Sequence, residues 1–161
     1  MIGAGDPVVL RVAGPSATLL VGDEVVEAPV APRLPGGPPV VGDRVEVRRS
    51  DGGIVVTAIR PRATRLERVT GPPGRLRPRV VVANADLLLV VASLVDPPLR
   101  PWIVDRYLVA SAAGGLGAAV VLTKADLPHD RSEEEEVAAR YRAAGYPVLV
   151  GSALEGSLVE E

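Results

Sequence analysis

The chain has 161 residues, a hydrophobic fraction of 47% and a formal net charge of −2, which allows one domain or two small ones. It contains no cysteine, which excludes disulfides and thiolate metal sites. No basic region followed by an apolar stretch opens the chain, and the longest apolar run, residues 80–95, is interrupted by Asn84 and Asp86. That run is too short to cross a bilayer, so we expect a cytoplasmic protein with no membrane partner.

Residues 1–60 contain five short runs typical of β-strands. The runs at 8–12, 17–21 and 24–28 are separated by Gly14-Pro15 and Gly22-Asp23, and those at 44–48 and 54–59 form a hairpin. Five strands in so short a segment favour a five-stranded barrel of the oligonucleotide-binding (OB) type. Residues 1–79 hold no aromatic side chain. Any RNA contact there would therefore use phosphates and shape, with little base readout.

Basic residues are concentrated in the first half of the chain. Residues 1–79 carry 12 arginines against 8 acidic residues, and the stretch 48–79 holds nine arginines and only two acids, Asp51 and Glu67. Such a stripe attracts phosphates, and arginine suits bidentate phosphate contact. A composition bias explains arginine in place of lysine, but it does not explain the scarcity of acids. The candidate RNA-binding residues are Arg44, Arg48, Arg49, Arg60, Arg62, Arg65 and Arg68. The alternative is a barrel that only packs against its neighbour.

Residues 61–79 are rich in proline, glycine and arginine, and we expect a basic, irregular linker there. Residues 80–161 have an α/β pattern. The apolar run 86–93 predicts a strand covered on both faces, and a helix follows at about 102–113 with Trp102 in the core. A second strand at 117–122 precedes a helix at 132–144. Ser132 is expected to cap this helix in a capping box with Glu135, and Gly145 to end it. A third strand occupies 147–150.

The segment Thr123-Lys124-Ala125-Asp126 directly follows the second of these strands and has the form of a guanine-reading loop. A carboxylate at the carboxyl end of a parallel strand can accept hydrogen bonds from N1–H and the exocyclic amine of guanine, and adenine offers no such pair. Charge-assisted bonds of this kind contribute roughly 1.5–3 kcal/mol each. The stem of Lys124 would lie along the face of the base. The alternative is an ordinary polar turn between a strand and a helix.

A second loop, containing Ser152 and Ala153, follows the next strand. The backbone N–H of Ala153 is expected to donate to O6 of guanine, where adenine carries a donor. The strand–loop–helix–strand–loop order places both loops at the same edge of a parallel sheet, where such sheets bind their ligands. His129 is the only histidine, and we expect it to be solvated in its turn.

Together these residues resemble a known family. The segments Val41-Gly-Asp-Arg-Val-Glu-Val47, Val82-Ala-Asn-Ala-Asp86, Ser93-Leu-Val-Asp-Pro-Pro98, Asp105-Arg-Tyr-Leu-Val-Ala110, Thr123-Lys-Ala-Asp126, Gly145-Tyr-Pro-Val148 and Ser152-Ala153 are similar to those of the circularly permuted GTPases of the RsgA/YjeQ type, which assist late assembly of the small ribosomal subunit. The resemblance implies GTP/GDP binding, hydrolysis stimulated by the small (30S) subunit, and an amino-terminal barrel that contacts 16S rRNA. It implies no DNA partner, and we expect a monomer.

The chain departs from the family pattern in ways that limit the expected activity. Thr123 stands where the family commonly has Asn, and no Gly-x-x-x-x-Gly-Lys-Ser/Thr segment occurs. That segment cradles phosphates and supplies a Mg²⁺ ligand, so we expect no hydrolysis by this chain alone and no catalytic residue in it. Mg²⁺ is expected only in a full-length protein, and zinc only in a missing carboxyl-terminal domain. The expected architecture is thus an α+β multidomain chain: an OB-type barrel at 1–60, a linker at 61–79 and an incomplete GTPase domain at 80–161. A non-catalytic RNA-binding or interaction module with a scaffold α/β domain is the alternative.

Overall fold

The computed structural model describes residues 6–50, 53–72 and 74–158. Within these ranges the fold is α+β and consists mostly of strands. The chain divides into two compact units, residues 1–85 and residues 86–161, and each is described by itself.

The first unit begins with the five strands that the sequence predicts. They are β1 (Val8–Ala13), β2 (Ser16–Val21), β3 (Glu24–Pro29), β4 (Val45–Ser50) and β5 (Gly53–Ile59). The strands β1, β2 and β3 form an antiparallel meander, and β4 pairs with β5 as an antiparallel hairpin. Alternate side chains of the strands point inward and form a core of Val9, Leu19, Val45 and Val56 with Ala17 and Ala28.

In the described ranges, isolated bridges and not a continuous ladder connect the strands of the meander to those of the hairpin. Val8 pairs with Arg44 in antiparallel fashion, and Val30 pairs with Val56 in parallel. Among the residues that the structure describes, the strands thus form separate sheets and not a continuous closed barrel. The predicted five-stranded OB barrel is therefore not confirmed.

The structure differs from the sequence prediction in the segment expected to be an irregular linker. This segment contains most of a second antiparallel hairpin, formed by β6 (Arg65–Thr70) and β7 (Arg77–Ala83). Gly71 and Gly74, at φ of 128° and 80°, lie between the strands. The prolines are compatible with this ribbon, because Pro72 lies between the strands and Pro78 lies on a strand with a single partner. The first unit accordingly extends to residue 85.

The second unit is a three-stranded parallel sheet covered by two helices on one face. Its elements are β8 (Leu87–Ser93), α1 (Pro101–Gly114), β9 (Gly117–Thr123), α2 (Arg131–Ala143) and β10 (Val148–Val150). The sheet order is β10-β9-β8. Both helices pack on one core, which contains Val90, Val104, Leu108, Val120, Leu122, Val137, Ala138 and Tyr141. Burial, followed by the hydrogen bond to Asp105, raises the pKa of Tyr141 to about 12.

Two burial predictions, one for β8 and one for α1, are wrong. The face of β8 that carries Leu87, Leu89 and Val91 is more than half exposed, so the strand is covered on one face only. Trp102 is 58% exposed. The guanidinium carbon of Arg106 lies 5.8 Å from the centroid of the Trp102 ring. An apolar run predicts a strand, and an aromatic residue suggests a place in the core. Neither pattern shows which face of the strand or helix is packed against the rest of the protein.

The start of α2 also differs from its prediction. Asp130, and not Ser132, caps the helix: its side chain accepts hydrogen bonds from the backbone N–H groups of Ser132 and Glu133. Aspartate and serine are both good capping residues, and the first of the two in the chain takes the position. Gly145, at φ of 90°, lies just after the carboxyl end of the helix as predicted.

Candidate functional site

The two predicted guanine-reading loops lie side by side at the carboxyl edge of the parallel sheet. The strands β9 and β10 are neighbours, and Leu122 pairs with Val150 one residue before both loops begin. The backbone N–H of Ala125 donates to the carbonyl oxygen of Gly151 at 3.2 Å, and the N–H of Gly151 donates to that of Leu122 at 3.0 Å. Backbone hydrogen bonds thus join the two loops directly.

The first loop is fixed by the strand on its other side. The Thr123 hydroxyl donates to the carbonyl oxygen of Ala92 on β8 at 3.4 Å, so it ties the loop down in the position where the family pattern has an amide. Lys124 adopts a φ of 63°, and its ammonium group donates to the carbonyl oxygen of Asp96 in the loop after β8. Its half-buried stem therefore lies along the edge of the sheet.

Asp126 is the chemically available group of this loop. Its side chain is exposed, and among the described residues it has no hydrogen-bond or ion-pair partner. The turn that carries it is closed by a hydrogen bond of 3.2 Å from Leu127 N–H to the Lys124 carbonyl oxygen. The carboxylate is therefore held on an ordered turn with its oxygen lone pairs open.

The second loop is organised around the buried side chain of Ser152, which is 1% exposed. Its hydroxyl accepts hydrogen bonds from Leu154 N–H at 3.2 Å and Glu155 N–H at 3.4 Å, and its own N–H donates to the Ser157 hydroxyl at 2.8 Å. The N–H of the exposed Ala153 lies between these bonded groups and has no acceptor in the described part of the chain. The serine thus shapes the loop, and the alanine leaves one donor free.

Gly151 is closely packed against later residues of the second loop's own segment. A Cβ atom added there would lie 2.8 Å from the Ser157 hydroxyl oxygen and 3.0 Å from side-chain carbons of Leu158. Contacts this short force neighbouring atoms to move. The tight approach packs the start of the second loop against residues 157 and 158.

The free groups complement one purine. A carboxylate that accepts two hydrogen bonds and a backbone N–H that donates one match the N1–H, the exocyclic amine and the O6 of guanine. Adenine lacks the two donors and carries an amine where guanine has O6, so it would leave both carboxylate oxygens and the backbone N–H unpaired. The hydrogen-bonding groups present are of the types that a guanine base requires.

A hydrogen-bonded pair of a histidine and a glutamate supports the segment after the first loop. His129 is only 7% exposed in its side chain, so the prediction of a solvated histidine is wrong. Its Nδ1 lies 2.7 Å from the Leu127 carbonyl oxygen, and its Nε2 bonds the carboxylate of Glu134 on α2. The hydrogen bond to Leu127 and then that to Glu134 raise the pKa of His129 above its ordinary value. The turn after Asp126 is thereby tied to the helix.

Sequence reasoning missed the part that Asp96 plays. Its carbonyl oxygen receives the Lys124 ammonium group, and its φ is 47°. Asp96 could have been identified from its position in the sequence. It lies in the loop after β8, and in a parallel sheet this loop shares the carboxyl edge with the loops after β9 and β10.

The predicted RNA-binding arginines fall into two groups. Three of them have acidic partners: Arg60 binds Glu46 at 2.9 Å, Arg65 binds Glu67 at 2.8 Å, and Arg62 binds Asp43. The remaining four are exposed and form no ion pair within the described ranges: Arg44, Arg48, Arg49 and Arg68. Their part in RNA binding stays a prediction.

The pair of Arg62 and Asp43 is structural. Nε and Nη2 of Arg62 donate to the two carboxylate oxygens at 2.7 and 2.8 Å, and Val40 N–H donates to Oδ2 at 2.8 Å. Asp43 is fully buried. The hydrogen bonds that the Arg62 guanidinium donates to this carboxylate raise the pKa of Arg62 above its ordinary value.

The described residues form neither a membrane-spanning helix nor a cluster of metal-binding side chains. Neither helix in the described part of the chain has the length and apolar character needed to cross a membrane. Across residues 6–50, 53–72 and 74–158, no three histidine or acidic side chains are grouped so that they could hold a metal ion.

Comparison with known proteins gives consistent matches. The family model described as RsgA GTPase matches residues 59–161. The protein named small ribosomal subunit biogenesis GTPase RsgA from Chromohalobacter salexigens is 43% identical over 115 residues, which are 70% of this chain and 33% of that protein. Its namesake from Gemmatimonas aurantiaca is 43% identical over 113 residues, 67% of this chain and 36% of that protein.

Solved structures share the fold. The crystal structure of YjeQ from Thermotoga maritima matches with a TM-score of 0.65 and 22% identity, over 94% of this chain and 53% of that one. YloQ, described as a circularly permuted GTPase, matches with a TM-score of 0.65 and 23% identity, over 97% of this chain and 54% of that one. The chain spans about a third of the length of the curated relatives that it matches, and it belongs to the RsgA GTPase family.

Proposed function

We propose that residues 86–161 select guanine nucleotides through Asp126 and the backbone N–H of Ala153. The observation that carries this proposal is the 3.2 Å hydrogen bond between Ala125 and Gly151, which holds both loops at one edge of the sheet. In this arrangement Thr123 and Ser152 organise the loops and Lys124 covers the face of the base. Asp126 and Ala153 read its hydrogen-bonding edge.

We further propose that the chain acts in the assembly of the small ribosomal subunit, in the cytoplasm, as a GTP-binding factor. The names of the relatives support this assignment. Hydrolysis of GTP stimulated by the subunit, contact with 16S rRNA and a monomeric state are parts of the same proposal. Since the sequence has no Gly-x-x-x-x-Gly-Lys-Ser/Thr segment, we propose that residues 1–161 alone do not hydrolyse GTP, and we assign no Mg²⁺ or zinc ligand among them.

The first unit is proposed to provide the RNA contact on an OB-type barrel. Two contacts between the separate ladders support a barrel: the Val8–Arg44 bridge links β1 to the start of β4, and Val30 pairs with Val56 on β5. Ala31 N–H extends the second link with a hydrogen bond of 3.0 Å to the Val56 carbonyl oxygen. The proposed RNA surface uses the exposed, unpaired Arg44, Arg48, Arg49 and Arg68, and it omits Arg62 because Asp43 holds that side chain.

The test of guanine selection is a titration of the 161-residue chain followed through its backbone amide signals by NMR. Guanosine diphosphate should shift the amides of Ala125, Asp126 and Ala153 with a dissociation constant in roughly the millimolar range, and adenosine diphosphate should leave them in place. Equal shifts with both nucleotides would refute the proposal. If neither nucleotide shifts these amides while the chain still binds small-subunit rRNA, the non-catalytic RNA-binding module is the correct assignment.

A further inference from the structure

The hairpin of β6 and β7 is a bare two-stranded ribbon. Its residues 75–79 are all exposed, including Leu76 and Pro78. In the part of the chain that the structure describes, no third strand extends this sheet. Since an isolated two-stranded hairpin is at best marginally stable in water, its position must come from contacts at its base.

The base of the ribbon is anchored by polar side chains of the first unit. Asn84 donates from its amide to the Gly42 carbonyl oxygen at 2.9 Å and accepts from Ala63 N–H at 2.8 Å. The Thr64 hydroxyl donates to the Ala85 carbonyl oxygen at 2.6 Å. The buried Asp43 holds Arg62, three residues before β6. The ribbon is thus fixed at one end and exposed at the other.

Positive charge is concentrated on one face of the exposed end. Arg68 lies directly opposite Arg79 across the antiparallel ladder, and Thr70 lies opposite Arg77 one pair further along the same face. Directly opposed like charges destabilise an antiparallel pair. Within the described ranges no carboxylate forms an ion pair with any of these three arginines or with Arg75 in the connecting turn. The repulsion is therefore uncompensated, and a polyanion would relieve it.

The spacing of the arginines suits a nucleic acid backbone. Residues 77 and 79 are two positions apart on one strand, which separates them by about 7 Å, comparable to the distance between successive phosphates of a strand. Guanidinium groups bind phosphates bidentately. No aromatic side chain lies in the first 79 residues, so the ribbon has no platform for stacking bases.

We propose that the face formed by Arg68, Arg77 and Arg79 binds the phosphate backbone of structured RNA, without reading its sequence. This inference rests on the proposed RNA-binding function and extends it to Arg77 and Arg79 on a hairpin outside the five-stranded region. Acidic protein surfaces attract the same side chains, and the test separates the two partners.

The test compares the wild-type chain with the triple variant Arg68→Gln, Arg77→Gln, Arg79→Gln in filter binding to protein-free small-subunit rRNA over a range of KCl concentrations. Each phosphate contact contributes about 0.7–0.9 to the slope of log affinity against log salt. The triple variant should therefore lose about 2–3 from this slope and bind at least about tenfold more weakly at low salt. The matched control removes three exposed arginines from other elements, Arg33→Gln, Arg100→Gln and Arg131→Gln, and should keep the wild-type slope.

The outcomes separate this inference from the function on which it rests. Steep salt dependence in the wild type with an unchanged slope in the triple variant would overturn the ribbon site alone. A wild-type chain that does not bind the rRNA at all would overturn both. A triple variant that loses binding to intact small subunits but keeps its affinity for protein-free rRNA would identify an acidic protein partner and also overturn the inference. The guanosine diphosphate titration of the triple variant should match that of the wild type, which verifies that the second unit is intact.

Discussion

Asp43 binds Arg62 through both carboxylate oxygens, at 2.7 and 2.8 Å, although the two residues are 19 positions apart in the chain. The carboxylate is fully buried and also accepts the Val40 N–H. One side chain thus joins the turn before β4 to the segment before β6. The exposed ribbon starts from this junction.

Replacement of Asp43 should strongly destabilise the first unit. In Asp43→Asn the Arg62 guanidinium loses its charged partner in a mostly buried position, and breaking such a pair costs about 3–5 kcal/mol. The matched variant Glu67→Gln removes a carboxylate from the exposed Arg65–Glu67 pair and should cost less than about 1 kcal/mol. Hydrogen exchange of the Leu19 amide, which lies in the core of the first unit, measures the loss of stability in each variant. Equal protection in the two variants would show that Asp43 has no special role.

Gly42 should tolerate no side chain. A Cβ atom there would lie 1.9 Å from the carbonyl oxygen of Ala83, and φ is +86°. Gly37 has a nearly identical φ of +88° with nothing within 4 Å of the added atom, so Gly37→Ala carries only the backbone strain, about 1–3 kcal/mol. Gly42→Ala should lower the free energy of unfolding by clearly more than Gly37→Ala, as measured by urea denaturation followed by circular dichroism. Similar losses would contradict the close approach of residue 42 to β7.

The pair of His129 and Glu134 makes the second unit sensitive to pH. Because the pKa of His129 is raised in the folded chain, its contribution to stability is complete below the unfolded pKa of about 6.5. This contribution is lost as the pH rises through the folded pKa. NMR titration of the single histidine should give a pKa above its ordinary value, and Glu134→Gln should bring it down. A pKa at or below the ordinary value in the wild type would contradict the observed hydrogen bonds.

The amino terminus of α2 should depend on Asp130 and not on Ser132. Loss of a capping side chain costs about 0.5–2 kcal/mol, so Asp130→Ala should lower the free energy of unfolding by about 1 kcal/mol in urea denaturation followed by Trp102 fluorescence. Ser132→Ala serves as the control and should change it by less than about 0.5 kcal/mol. A larger loss in Ser132→Ala than in Asp130→Ala would restore the capping box predicted from the sequence.

The arrangement of the two proposed guanine-reading loops at one edge of the sheet was predictable because its signals are local. Apolar runs end at Leu122 and Val150 in the sequence, and β9 and β10 end at Thr123 and Val150. Parallel strands joined by a helix bring the loops that follow them to one edge. Only the structure shows that, among the described residues, the carboxylate of Asp126 and the N–H of Ala153 have no hydrogen-bond partner. A local sequence pattern does not reveal which polar groups are left unpaired.

The ribbon and its anchor were not predictable for the opposite reason. Six of the 19 residues at 61–79 are proline or glycine, which conceals the strands, and the contacts that hold the ribbon join residues 19 to 42 positions apart. The same limit applies to Trp102, because its exposure depends on which side of α1 meets the sheet. Contacts that are distant in sequence leave no periodic signal.

Guanine selection by Asp126 is tested most directly by changing the base that the loop prefers. Asparagine at position 126 would still accept from N1–H, but its amide would donate, which matches the carbonyl group that xanthine carries at C2. NMR titration should show that the wild type prefers guanosine diphosphate over xanthosine diphosphate, and that Asp126→Asn reverses this preference by about tenfold or more. Asp130→Asn removes a nearby carboxylate while it keeps a good helix cap, and it should retain the guanine preference. Identical affinities of wild type and Asp126→Asn for the two nucleotides would show that this carboxylate does not read the base.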